Sequence, residues 1–131
     1  MTISSIFQRN DADTAQLSIP STSSNSQVDT GQVLTNQPIT GLLIPLNYSG
    51  FRILLTVNVD ATNDTSETFD LLGTCNGTTW SMSQNSVQNT NGVVNITFSI
   101  NPTTGQIRYS SDDSATAGFV KRTLQWIVQT L

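Results

Sequence analysis

The stretch Phe51-Arg52-Ile53-Leu54-Leu55-Thr56-Val57-Asn58-Val59-Asp60 decides the fold class. Phe51, Ile53, Leu55, Val57 and Val59 fall on one side of an extended chain, because successive side chains in a strand point to opposite faces. Arg52, Leu54, Thr56, Asn58 and Asp60 fall on the other. Ten residues of period two are the mark of a half-buried strand. β-branched residues also fit a pleated surface better than a helical one.

The same period recurs downstream. Phe69 and Leu71 alternate with polar neighbours, with Glu67 and Cys75 on the same side. Trp80 and Met82 oppose Ser81 and Ser83. Val94, Ile96, Phe98 and Ile100 oppose Val93, Asn95, Thr97 and Ser99. Ile107 and Tyr109 make a short strand. Val120, Leu124, Trp126 and Val128 alternate with Lys121, Thr123, Gln125, Ile127 and Gln129, Arg122 interrupting the apolar set. Between these runs lie turn signals. Asn76-Gly77 predicts a hairpin with both central residues at positive φ. Asn91-Gly92 opens the next strand, and Asn101-Pro102-Thr103-Thr104-Gly105 is a compact turn. Short connections predict antiparallel pairing, since parallel strands need long crossovers. Six to eight strands in about 90 residues predict an all-β antiparallel β-sandwich, jelly-roll-like. About fifteen large apolar side chains after residue 50 are candidates for its core, each contributing roughly 1.5–3 kcal/mol when fully buried. Chain entropy cancels much of this, which points to oligomerisation as a further source of stability.

Residues 1–40 read differently. Ser21 to Ser26 is a low-complexity run, and the apolar residues are isolated spots: Ile3, Ile6 and Phe7, then Leu17 and Ile19, then Val33 and Leu34. Such a segment has too little apolar surface for a core of its own. The expected organisation is an extended polar N-terminal arm over 1–40 and a β-sandwich domain over 41–131. The expected partner contacts are Ile3, Ile6, Phe7, Leu17 and Ile19, apolar anchors in a segment that has nothing of its own to bury them.

Composition narrows the function classes. The chain has 131 residues, suited to one domain. Only 11% are charged, and roughly 44% are Ser, Thr, Asn or Gln. Low charge sets it apart from disordered chains, which pair low hydrophobicity with high charge. The net charge is -4, and the cations Arg9, Arg52, Arg108, Lys121 and Arg122 are scattered. Gripping phosphates needs clustered cations, so no nucleic-acid partner is expected. No apolar run approaches a membrane span, and Met1 to Asn10 lacks the basic and apolar regions of a secretory signal. No membrane partner and no cleavage are expected.

The same residues argue against catalysis. There is no His and there is a single Cys, Cys75. The usual general base and the usual partner of a catalytic thiol are both missing, and no disulfide can form within the chain. Lys121 beside Arg122 reads as a solvated strand residue. The carboxylate pairs Glu67/Asp70 and Asp112-Asp113 are the one remaining route, to glycosidase-type chemistry; Asp112-Asp113 sits in a serine-rich turn. Asp60, Asn63, Asp64 and Glu67 offer oxygen ligands, but not at the spacing of an EF-hand loop. The expectation is no enzyme, no cofactor and no metal. Four acceptor patterns, at Asn47, Asn63, Asn76 and Asn95, read as accidents of an Asn- and Thr-rich chain. Trp80 and Trp126, in phase with apolar neighbours, read as core. Tyr48 lies in a turn and reads as an exposed aromatic.

Three segments carry a resemblance. Trp80-Ser81-Met82-Ser83, then Gly92-Val93-Val94-Asn95-Ile96-Thr97-Phe98-Ser99-Ile100, then Thr104-Gly105-Gln106-Ile107-Arg108-Tyr109-Ser110-Ser111, are similar to C-terminal β-modules of tailed-bacteriophage virion proteins. In those a Trp strand precedes a G-V-x-F-S-I strand and a T-G-Q-[IV]-x-Y-[ST]-S strand. The resemblance covers about 50–131 and implies a virion β-module of a capsid decoration or fibre type. The absence of a long shaft favours a capsid decoration (cement) protein on the capsid surface. Its implied partners are the major capsid protein and further copies of itself, as a dimer or trimer. The alternative is a tail- or head-fibre tip or a receptor (carbohydrate)-binding module.

Overall fold

A computed structural model describes residues 16–17 (backbone only), 25–89 and 91–131. Every regular element among them is a strand: β1 (Gln16–Leu17), β2 (Ser26–Asp29), β3 (Val33–Leu43), β4 (Gly50–Asp60), β5 (Thr65–Cys75), β6 (Trp80–Gln88), β7 (Ile96–Ile100), β8 (Gln106–Asp112) and β9 (Lys121–Thr130). They form two antiparallel sheets. The larger has the order β1-β9-β4-β5-β6, with β2 also on the β9 edge, and the smaller has the order β3-β8-β7. The fold is the all-β, two-sheet sandwich that the alternation predicts.

The core lies between the sheets. From the larger sheet come Phe51, Ile53, Leu55, Val57, Val59, Phe69, Leu71, Leu124 and Trp126; the smaller answers with Ile39, Leu42, Phe98, Ile107 and Tyr109. Phe69 meets Phe98 across the interface edge-on, with ring centroids 4.8 Å apart, the geometry in which a ring's positive edge meets another's negative face. The alternating side of β4 is buried as expected, and β5 pairs with it without a slip from Gly50↔Thr74 to Val59↔Thr65. Cys75 packs at the margin of this core.

Three expectations change. The Asn76-Gly77 hairpin forms between β5 and β6, but only Gly77 has positive φ (101°). Asn76 instead caps a four-residue loop, its side-chain oxygen accepting from the N–H groups of Thr78 and Thr79 at 3.0 and 2.9 Å. That is an Asx-type turn, which replaces the second positive φ. The strand expected from Val93 begins only at Ile96, because Asn95 takes φ 49° and bends the chain before it.

The third change concerns the boundary at residue 40, which falls inside β3. Residues 26–29 and 33–43 are strands of the two sheets, and Ile39 is fully buried. The reason the pattern is hidden is local. β3 is an edge strand holding Pro38, and its register with β8 shifts twice, around Asn36 (φ 47°) and Gly41 (φ 91°). Each irregularity resets the period of two, so the buried Ile39 and Leu42 are three residues apart. Residues 1–15 and 18–24 of the expected arm lie outside the described residues.

Candidate functional site

Of the five expected contact residues, Ile3, Ile6, Phe7 and Ile19 lie outside the described residues. Leu17 is in β1, where its backbone pairs with Gln129 while Gln16 pairs with Thr130. β2 follows on the same edge of β9, from Ser26↔Gln125 to Asp29↔Arg122. The N-terminal side of the chain is thus laid in two antiparallel pieces along one strand of the larger sheet.

A buried ion pair fixes that arrangement. Arg122 is in phase with Leu124 and Trp126 on β9, so its side chain points inward and is fully buried. It pairs with Asp113, also fully buried, and donates to the carbonyl of Gly31 at 2.8 Å. The Asp113 N–H donates to the carbonyl of Gln32 at 2.7 Å. Phe119 lies under the guanidinium, 5.1 Å from its ring centroid. Burial pulls the Arg122 guanidinium below its ordinary pKa, and Asp29 opposes this. The pair therefore clips the β2–β3 turn to the β8–β9 connection. Arg122 looked like an interruption and Asp113 like half of a solvated turn. The available signal was Arg122's in-phase position, which in a buried strand demands a partner.

Four other candidate carboxylates, Glu67, Asp70, Asp112 and Asp64, each have a partner in the fold. Glu67 accepts from the Ser86 hydroxyl at 2.5 Å and from the Val94 N–H at 3.4 Å. Asp70 accepts two bonds from Arg52, both at 3.0 Å, which holds the guanidinium pKa up. The Asp112 carboxyl is held below its ordinary range by the hydroxyl and then the N–H of Ser114. Asp64 accepts from the N–H of Ala61, closing the β4–β5 turn. Among the described residues no three His, Cys, Asp or Glu side chains are placed to share a metal ion.

The three segments of the resemblance converge. Gly105 has φ 80°, and a Cβ there would overlap the Ile44 carbonyl oxygen and press on the Trp80 indole. The turn holds residues 39–44 by two further routes: Ile44 N–H donates to Gly105 O at 2.9 Å, and the Gln106 amide donates to Ile39 O and Leu42 O at 3.0 and 3.3 Å. Trp80 N–H donates to Pro102 O at 3.0 Å, and its ring tilts against Phe51. Trp80 and Trp126 are core, as their phase predicts, and so is Tyr109; Tyr48 is partly exposed. The Thr-Gly-Gln motif is a clamp on the β3 bulge.

With those groups inside, the outer face of the larger sheet presents what is left. Arg52, Leu54, Thr56, Asn58 and Asp60 of β4 lie beside Thr68, Asp70 and Leu72 of β5, with Ser83, Asn85 and Val87 of β6 beyond, and Thr123, Gln125 and Ile127 of β9 on the other side. Leu54 and Ile127 are direct cross-strand partners. Thr56 and Thr68 share a hydroxyl–hydroxyl bond of 2.9 Å. A polar cleft of about 250 Å³ opens at one end of this face, among Asn58, Asp60, Asp64, Ser66, Asn89 and Lys121.

No family model matches the chain, and no curated protein does. Among solved structures it is similar to the tailspike protein of Acinetobacter phage vB_ApiP_P1, at 20% identity and a TM-score of 0.47. The match covers 93% of this chain and 25% of that one, so the chain spans about a quarter of that tailspike's length.

Proposed function

We propose that the chain is a structural virion protein that decorates the capsid surface, acting by adhesion and without catalysis. The observation that supports this best is how its N-terminal side is fastened. β1 and β2 pair antiparallel along β9, so the chain that follows the arm is hydrogen-bonded through its backbone to a strand of the larger sheet. The Arg122–Asp113 pair and its bond to Gly31 tie the following turn to the domain. A segment gripping a shell needs such a fixing at its root. The expected grips are Ile3, Ile6, Phe7, Leu17 and Ile19 on the major capsid protein, in the manner of an extended segment meeting a folded surface. Many weak contacts then sum over repeated copies. The motif resemblance adds to the reading, and its residues are spent on holding the fold.

The test is a copy count of the chain against the major capsid protein in purified particles of the phage that encodes it. Hundreds of copies per particle support the decoration reading. A handful moves the chain to a fibre tip or receptor-binding position, a reading that the partly exposed Tyr48 favours. Absence from the particle overturns both. Deleting residues 1–15, which spares every described strand, removes Ile3, Ile6 and Phe7 and is expected to lower occupancy on the shell strongly; unchanged occupancy removes those three residues from the mechanism.

A further inference from the structure

We infer that the outer face of the larger sheet is a self-association surface, on which a second copy of this chain docks face to face about a two-fold axis. This deepens the oligomerising half of the proposed function and rests on that reading only for its biological setting.

Three observations carry it. The first is size. Four strands of 9 to 11 residues at a rise of ~3.4 Å, set ~4.8 Å apart, give a face of roughly 670 Å². That is about what each partner contributes to a stable interface. The second is composition. Leu54 and Leu72 are exposed in the described structure and Ile127 is half-buried beside Leu54. Amides and hydroxyls surround them, in keeping with interfaces that mix an apolar centre with a polar surround.

The third is charge, and it narrows the occupant. The chain carries -4, so two copies repel on average. On this face the charged side chains are Arg52, Asp60, Asp70 and Lys121, two of each sign. Arg52 and Asp70 already neutralise each other at 3.0 Å, and Asp60 and Lys121 are cross-strand partners. The face sums to zero while the remainder of the chain holds the whole excess. A strongly basic or acidic partner finds no complement here; an equally neutral face does, and a copy of itself provides one. Closed two-fold pairing of one patch with itself is also the commonest way that chains assemble.

The experiment is sedimentation equilibrium of the full chain from 1 to 100 µM, wild type against Leu54→Lys, Leu72→Lys and the control Val33→Lys. Val33 is exposed on the smaller sheet, so its lysine leaves the face untouched. The expected result is a wild-type dimer, a dissociation constant at least ~10-fold weaker in each face variant, and an unchanged constant in the control. Far-UV circular dichroism confirms folding of each variant, and two independent face positions guard against loss of one. A wild-type monomer at 100 µM overturns the inference, and so does a dimer that both face variants leave intact or that the control weakens equally. The particle copy count is independent of all these outcomes, so the failure of one reading does not imply the failure of the other.

Discussion

The middle of the larger sheet and the corner where β2, β3, β8 and β9 meet are held by opposite means. In β4 and β5 the buried side chains are aliphatic or aromatic, and burial of apolar surface is the main stabilising term. At the corner the fully buried groups are Arg122 and Asp113. A buried pair gains little over an apolar replacement, because desolvation offsets attraction, yet losing one member strands the other. The first region tolerates graded change. The second is closer to all or nothing, and it specifies where the N-terminal side of the chain must lie.

The contrast breaks most sharply at Arg122. Arg122→Ala is expected to cost about 3–5 kcal/mol in urea unfolding, because Asp113 is left charged and buried. Arg122→Met combined with Asp113→Leu is expected to recover most of that loss. A double variant as unstable as the single one shows that the hydrogen bond to Gly31, and not the charge, is what the corner needs.

In the aliphatic region Leu55→Ala is expected to cost about 2–5 kcal/mol, scaling with the cavity left behind. Its effect should add to that of Arg122→Ala within about 0.5 kcal/mol if the two regions are independent. A larger coupling in the double variant erases the distinction between them.

On the outer face the effects shrink. Thr56→Ala is expected to cost about 0.2–1 kcal/mol through the lost cross-strand pair with Thr68, read from the same unfolding curves. A cost of several kcal/mol means that the threonine is not on an open face.

The smallest effect concerns acid. Asp112 has its folded pKa lowered by Ser114. Such a carboxylate contributes stability above its unfolded pKa and loses it as pH falls through the folded value, so the window lies below about pH 4. Ser114→Ala is expected to flatten that limb of the stability–pH curve slightly and to leave neutral pH unchanged. A shift at pH 7 as large as that at pH 3 assigns the serine a role other than binding the carboxylate.

The sequence made the apolar half of the molecule legible and the polar half obscure. β4, β5 and β9 show period two because most of their inward side chains are apolar and the ladders between them run without slips. β3 hid its strand because Asn36 and Gly41 shift the register and Pro38 argues against a sheet interior. β2 hid because its inward residues, Gln27 and Asp29, are polar; Gln27 bonds sideways to Pro38 and Thr40 of β3. Of the candidate contacts, Leu17 stands out as an isolated apolar residue, and nothing in the sequence sets it beside a sheet, since edge pairing through the backbone leaves no side-chain signature. The outer face was visible as the polar side of each strand, yet its neutrality emerges only when pairing sets Arg52 next to Asp70 and Asp60 next to Lys121.

The position of β9 has a consequence for how the molecule is made. β5 and β6 fold back on β4 through short turns, so those three strands can zip up from neighbouring residues. β4's other edge waits for β9, pairing Phe51 with Thr130 and Asp60 with Lys121. Closing so long a loop is slow, and non-local pairings set the pace of β proteins. Until it closes, the run Ile53-Leu54-Leu55-Thr56-Val57 offers an unpaired, strongly β-forming edge. During synthesis this edge is open to wrong neighbours, and β9, with Lys121 and Arg122 at its leading end, is the strand that covers it.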